Sequence, residues 1–367
     1  MSKTYLVTGG AGFIGSNFII FMLKKYGKNI TVINLDKLTY AGNLENLHEV
    51  EKNINYTFIK GDICNKKLLN KIFSSQQVDF IVNFAAESHV DRSILSADKF
   101  IKTNVLGTLA LLEIAKQKWE TEDGYREGVK FLQVSTDEVY GSLGENGYFV
   151  ETTPLDPHSP YSASKASADL LVKSFFDTHN MPINITRCSN NYGPYQFPEK
   201  FIPLLISNCL QKKKLPVYGD GLNVRDWLYV EDHCRAIDLV INRGKLGEIY
   251  NIGGNNEKTN LFIVKTIISY LKDHHDKLID ETLIQYVTDR KGHDRRYAID
   301  ASKIFHELGW KPNTPFKDGI GKTINWYVDN REWLDKIKEK NVKEKKPMKK
   351  HGSEIPIPNR FERSGSL

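Results

Sequence analysis

The chain has 367 residues, which is too long for one small domain and suits one large or two coupled units. Its hydrophobic content of 40%, with 18 Phe and 17 Tyr, allows a sizeable core, and 26% charged residues is ordinary for a globular protein. The net charge of +6 sits in 336–350, where eight Lys face two Glu, so the body is neutral and carries no surface excess for nucleic acid or membrane.

The basic run reads as a solvated tail. Cys64, Cys188, Cys209 and Cys234 form no C-x-x-C pair, so neither a zinc site nor a redox pair is expected, and scattered thiols fit a reducing compartment. Asp273-His-His-Asp276 has metal-binding residue types, but on a polar helix end it reads as solvated, and no metal is expected. No apolar leader or bilayer-length run is present, so the cytoplasm is the expected location.

In chain order, apolar runs at 5–8, 31–35, 56–59, 80–84 and 131–134 read as buried strands, with helical patterns at 13–26, 68–74 and 103–118 between them. A helix over 162–179 and a strand over 183–187 follow. This alternation predicts an α/β fold, a Rossmann-type doubly wound parallel sheet with right-handed crossovers. Beyond residue 190 the loops become rich in Pro, Gly and Asn, and helices near 201–211, 231–242 and 261–272 are expected to pack a smaller α/β substrate-binding part. The expected divisions are a first domain over 1–189, which later strands can join, a second part over 190–335 and a flexible basic tail over 336–367.

Residues 8–15 read TGGAGFIG, placing Gly9, Gly12 and Gly15 between a strand and a helix. Glycine there lets the backbone turn tightly and approach a pyrophosphate at the helix N-terminus. Asp36, 21 positions after Gly15, closes the second strand, where a carboxylate accepts from ribose hydroxyls and repels a 2′-phosphate, so NAD is expected rather than NADP. Asp62, after the third strand, is placed to meet the adenine.

Tyr161 and Lys165, in YSASK, stand one turn apart on a helix face. A phenol serves as a base once its pKa falls from about 10, and an ammonium and a nicotinamide cation favour that. Tyr56 and Lys60 share the spacing but lie on a strand, where four residues span roughly 13 Å. In STDEVYG (135–141), Ser135 or Thr136 can bond a sugar hydroxyl. Taken alone, Asp137-Glu138 reads equally as the cap of a helical turn and as an acid–base pair for an elimination.

The blocks LDKLTYAGN (35–43), AAESHVDRSI (85–94), STDEVYG, YSASK, RCSNNYGPYQFPEK (187–200), YGDGLNVRDWLYVEDH (218–233), YNIGGNNEKTN (250–260) and DRKGHDRRYAID (289–300) resemble the dTDP-glucose 4,6-dehydratase family of the extended short-chain dehydrogenase/reductase superfamily, over about 3–335. The resemblance implies a hydro-lyase that holds NAD and returns it unchanged, converting dTDP-glucose to a 4-keto-6-deoxy product. By it, Tyr161 takes the 4-hydroxyl proton, Thr136 binds the 4-oxygen, Lys165 orients Tyr161 and cofactor, Glu138 removes the carbon-5 proton and Asp137 protonates the departing 6-hydroxyl. It implies cofactor contacts at Gly9, Gly12, Phe13, Ile14, Gly15, Asp36, Lys37, Thr39, Asp62, Ile63, Phe84, Ala85, Ala86, Ser88, Thr103 and Asn191, besides Tyr161 and Lys165. It implies substrate contacts at Ser88, Thr136, Asn190, Lys200, Pro216, Tyr218, Arg225, Asn260, Arg290 and His293. A homodimer seam along the helices near 103–118 and 162–179 belongs to the same expectation. The rival readings are another NAD-dependent nucleotide-sugar dehydratase or decarboxylase and, from a different class, a catalytically idle NAD-sensing regulator.

Overall fold

Short runs of β-branched and aromatic residues, separated by amphipathic stretches, set strands against helices. The computed structural model describes residues 2–289 and 294–337. Its first part holds β1 (Lys3–Thr8), α1 (Phe13–Tyr26), β2 (Ile30–Asp36), β3 (Tyr56–Lys60), α2 (Lys66–Ser75), β4 (Phe80–Asn83), α3 (Val90–Leu95), α4 (Ala97–Phe100), α5 (Thr108–Trp119), the small pair β5 (Glu120–Thr121) and β6 (Gly124–Tyr125), β7 (Lys130–Thr136), α6 (Pro160–His179) and β8 (Ile183–Cys188). Its second part holds β9 (Asn190–Tyr192), α7 (Phe201–Leu210), β10 (Leu215–Tyr218), β11 (Val224–Tyr229), α8 (Val230–Arg243), β12 (Ile249–Ile252), β13 (Glu257–Thr259), α9 (Asn260–His274), β14 (Ile284–Val287), α10 (Ser302–Leu308) and α11 (Phe316–Asp329).

Seven strands form one parallel sheet in the order β12-β8-β7-β4-β1-β2-β3. This is the expected doubly wound architecture. The order reverses at β1, and ligands of such sheets sit in the crevice that the reversal opens at the strand C-termini. The register brings those ends level: Thr8 lies beside Leu35 and Asn83, and Thr136 beside Cys188. One face of the sheet buries Phe18 and Met22 of α1 with Ile237 and Val240 of α8, and the other buries Leu69, Leu111, Trp119 and Val172. A separate core around Leu205, Ile263, Ile267, Ile320 and Tyr327 supports a three-stranded sheet, β13-β11-β9, and the pair β10-β14. Among the described residues, no helix is long and apolar enough to cross a membrane.

Three details depart from the sequence reading. The helix expected at 231–242 in the smaller part packs instead beside α1 on the large sheet, because its buried stripe of Ala236, Ile237, Val240 and Ile241 feeds directly into β12 at the sheet edge. The helix expected from residue 103 begins with the π-wound segment Ile101–Gly107 before α5, and its buried Asn104 bonds both Glu87 and Ser164. The presumed tail starts later than 336. Residues 331–337 are helical, because Trp333, Leu334 and Ile337 are buried, and the Trp333 indole donates to Asn46 Oδ1 at 2.9 Å. The tail beyond 337 lies outside the described residues.

Candidate active site

The strand β1 delivers the chain into a turn that side chains would obstruct. Gly9 has φ +68°, and a Cβ there would stand 2.6 Å from the Ala85 amide nitrogen. A Cβ on Gly15 would stand 2.5 Å from the Gly9 carbonyl oxygen. Gly12 caps α1 with no side-chain hydrogen bond, which leaves the first N–H groups of the helix to an anion. Across the turn, Asp36 ends β2, and its carboxylate accepts from the backbone N–H of Ala11 (2.9 Å) and of Leu38 (2.7 Å). Asp62 accepts from Cys64 N and pairs with Lys37 at 2.8 Å, which holds its carboxyl below the usual range despite partial burial.

Helix α6 opens with a Ser159–Ser162 capping box and Pro160 in its first turn, strong start signals that fix where Tyr161 falls. Lys165, one turn on, is buried and donates from Nζ to the Val134 carbonyl on β7 at 2.8 Å. Burial pushes the Tyr161 phenol well above its ordinary value, with Glu138, Cys188 and Asp137 adding to the effect. The sequence reading expects the ammonium to lower it. In the protein alone desolvation wins, and burial lowers Lys165 as well.

The strand β7 ends in the 3₁₀ turn Asp137–Tyr140, whose cap is Thr136: its Oγ1 accepts from Glu138 N at 3.3 Å. The cap is thus supplied by Thr136, and Asp137-Glu138 occupy the turn that follows. Asp137 is 2% exposed. Burial, and then the neighbouring charges of Glu138 and Asp226, push its carboxyl well above the usual range, which favours the protonated form.

A cavity of about 330 Å³ runs along the crevice. Of the sequence-predicted residues it gathers Gly9, Gly12, Phe13, Ile14, Asp36, Lys37, Thr39, Asp62, Ile63, Phe84, Ala85, Ala86, Ser88 and Thr103 at the loop end. Thr136, Asp137, Glu138, Tyr161, Lys165, Asn190, Asn191 and Lys200 line the rest, with Lys200 Nζ donating to the Ser88 carbonyl at 3.0 Å. Gly15 does not line it; its place is beneath the Gly9 carbonyl, where it lets α1 approach.

The cavity lining does not include Pro216, Tyr218, Arg225 or Asn260. Pro216 and Tyr218 lie on β10, and Asn260 opens α9 with its N–H on the Asn223 carbonyl. Arg225 is buried over the Tyr297 ring and donates to the Val224, Asp294 and Arg295 carbonyls. Arg290 and His293 lie outside the described residues. Sequence reasoning missed Tyr40, Gln196 and Phe197, which line the cavity, with the Tyr40 and Phe197 rings edge-on at 5.4 Å. Their only signal is their place in the blocks beside Thr39 and Lys200.

The residues present fit a dinucleotide. The glycine cradle would be filled by any Cβ at Gly9 or Gly15, and the far wall keeps buried polar atoms without a protein partner: Ser135 Oγ, Asp137 Oδ2 and Asn190 Oδ1. A glycine turn at a helix N-terminus, a carboxylate closing the second strand and a Tyr–Lys pair on a doubly wound sheet mark an NAD-using enzyme of the extended short-chain dehydrogenase/reductase class.

Comparison with known proteins narrows the class. The family model described as GDP-mannose 4,6 dehydratase matches residues 6–323. A dTDP-glucose 4,6-dehydratase of Xanthomonas campestris pv. campestris is 54% identical over 338 residues, 91% of this chain and 95% of that protein. The crystal structure of the Bacillus anthracis dTDP-glucose 4,6-dehydratase in complex with NAD is 51% identical, with TM-score 0.83 over 92% of this chain and 100% of that one. The NAD-bound Streptomyces venezuelae enzyme of the same name is 47% identical, with TM-score 0.84 over 91% and 99%. The chain belongs to the dTDP-glucose 4,6-dehydratase family, whose members are NAD-dependent hydro-lyases.

Proposed function

We propose that the cavity converts dTDP-glucose to dTDP-4-keto-6-deoxyglucose and water. The observation that carries this reading is the buried Asp137 beside Glu138 in the cavity that also holds Tyr161 and Lys165. An oxidation followed by simple reduction needs one proton-transferring group; an elimination needs a further base and a further acid.

When bound, NAD would supply a reversible two-electron store, filled at carbon 4 and drawn on at carbon 6, and its ring charge would favour the Tyr161 phenolate. Tyr161 Oη takes the proton of the 4-hydroxyl, while Lys165 holds the α6 face in place through the Val134 carbonyl. Thr136 Oγ1 donates to the 4-oxygen. The new ketone acidifies carbon 5, Glu138 removes that proton, and Asp137 gives its proton to the 6-hydroxyl, which leaves as water. Glu138 then returns its proton to carbon 5; the 4-ketone stays, so the proton held by Tyr161 makes good the one that Asp137 gave to the departing water. The glycine turn binds pyrophosphate, Asp36 the adenosine ribose and Asp62 the adenine. Asn190 and Lys200 hold the sugar nucleotide from one side, with Pro216, Tyr218, Arg225, Asn260, Arg290 and His293 closing on its thymidine diphosphate.

The sheet with α8 and β12 forms the cofactor half, and the remainder of 190–335 the nucleotide-sugar half. The exposed Ile94, Leu95, Ile101, Leu106 and Leu170, on α3, the π-wound segment and α6, support a homodimer through that face. Four free thiols support a reducing, cytoplasmic setting.

The test is purified enzyme with dTDP-glucose and no added cofactor, which yields a 4-keto product absorbing in alkali. In Asp137→Asn the 4-ketone still forms, and water loss slows about 10²-fold or more. Loss of oxidation itself in that variant overturns the role given to Asp137.

A further inference from the structure

The two carboxyls ride on a turn of four residues, and 3₁₀ turns are held by poorer hydrogen bonds than α-helices. Its cap contact, at 3.3 Å, is long. The last residue of the turn, Tyr140, is buried and is the centre of a chain of side chains from elsewhere. Arg187 Nη1, on β8, donates to Tyr140 Oη at 3.0 Å, with the guanidinium 4.8 Å over the ring. The phenol donates in turn to Asn251 Oδ1, on β12, at 2.8 Å. Asn251 Nδ2 is committed to the Phe149 carbonyl at 3.1 Å, which fixes the amide orientation, and the Phe149 ring stacks on Tyr140 at 5.1 Å. At the other end, Arg187 Nε donates to Asp169 Oδ2 at 2.9 Å. Asp169 lies one turn past Lys165 and two past Tyr161, on the same stripe of α6.

We propose that Tyr140 is a positioning residue for the water-loss step: the chain Asp169–Arg187–Tyr140–Asn251 fixes the turn bearing Asp137 and Glu138 against the helix bearing Tyr161 and Lys165. None of the four lines the cavity. The proposal rests on the reading in which Asp137 and Glu138 carry out the elimination. A buried hydrogen-bonded network rigidifies what it joins, and a misplacement of about 1 Å costs reactions about 10²-fold. Oxidation at carbon 4 draws on α6 and on Lys165, which has its own tie to β7. Breaking the chain at Tyr140 therefore separates the two steps.

The experiment follows single turnovers of NAD-loaded enzyme with dTDP-glucose, reading the rise of reduced nicotinamide and its decay as water leaves. Parent, Asp137→Asn, Tyr140→Phe and Asn251→Ala are run together. In Tyr140→Phe the rise stays near the parental rate, and the decay slows roughly 10- to 100-fold. Asn251→Ala slows the same phase by less, and carries the test by itself should Tyr140→Phe not fold. Amide exchange over 137–141 quickens in these variants, while that over 161–165 stays parental. A parental decay in Tyr140→Phe, or rise and decay slowed in parallel, overturns the proposal. Asp137→Asn separates the two failures: if it slows decay while Tyr140→Phe does not, only the positioning role is lost, and if it leaves decay unchanged, the reading of the carboxyls falls first.

Discussion

The two ends of the expected site are built in opposite ways. At the cofactor end, Gly9, Gly12 and Gly15 lie within seven consecutive residues, and the strand, turn and helix that hold them are neighbours in the chain. At the expected nucleotide-sugar end, Tyr218, Arg225 and Asn260 come from β10, β11 and α9, outside the cavity lining, with Val224 and Arg225 tied to 294–296 by hydrogen bonds and a bridge. Arg225 donates to three main-chain carbonyls, those of Val224, Asp294 and Arg295. A local motif is rigid before anything binds, whereas an assembled cluster depends on contacts that a substrate can rearrange.

The contrast can be broken most sharply at the junction of the two ends. In Tyr161→Phe, kcat falls about 10²- to 10⁴-fold, with NAD content of the purified enzyme unchanged. Loss of the cofactor along with the rate would mean that the phenol belongs to the cofactor end alone. Gly9→Ala tests the rigid end. Its Cβ would meet backbone at 2.6 Å with φ at +68°, so stability drops by about 1–3 kcal/mol and NAD affinity about tenfold, measured by denaturant unfolding and cofactor titration.

Arg225→Ala tests the assembled end. The loss of charged hydrogen bonds to the 294–295 carbonyls raises KM for dTDP-glucose roughly tenfold, with NAD affinity untouched. An equal fall in NAD binding would erase the distinction between the ends. The smallest effect lies at the opposite end of the strands, where Lys130 begins β7. Lys130 is buried with Nζ on the Val240 and Gly244 carbonyls, and burial pushes it down from 10.5 to about 8. Between those values the unfolded chain binds more protons than the folded one, so this group's contribution to stability rises with pH. Relative to Lys130→Met, the parent gains on the order of 1–3 kcal/mol from pH 8 to pH 10.5 in denaturant unfolding, with catalysis at neutral pH unchanged.

Much of the near end was legible because its signals are local. The strand–glycine–helix run, Asp36 at the end of the second strand and the Tyr161–Lys165 spacing all concern residues whose backbone geometry follows from short stretches. Tyr40, Gln196 and Phe197 were not legible, since aromatic and amide residues in loops carry no periodicity to say that they meet across the cavity. Nor was the place of α8, whose apolar stripe suits either lobe until β12 pairs with β8.

The sequence by itself determined the parallel doubly wound sheet, the phosphate turn and the helix face shared by a phenol and an ammonium, because each is set by hydrophobic period, glycine and one-turn spacing. Only the tertiary structure decided that Asp137 is buried with its carboxyl pushed above the usual range, that burial raises the Tyr161 phenol in the protein alone, and that Tyr140 reaches Asn251, 111 positions away. Proton affinity depends on what surrounds a group after folding, and those surroundings come from segments that meet only when the sheet closes.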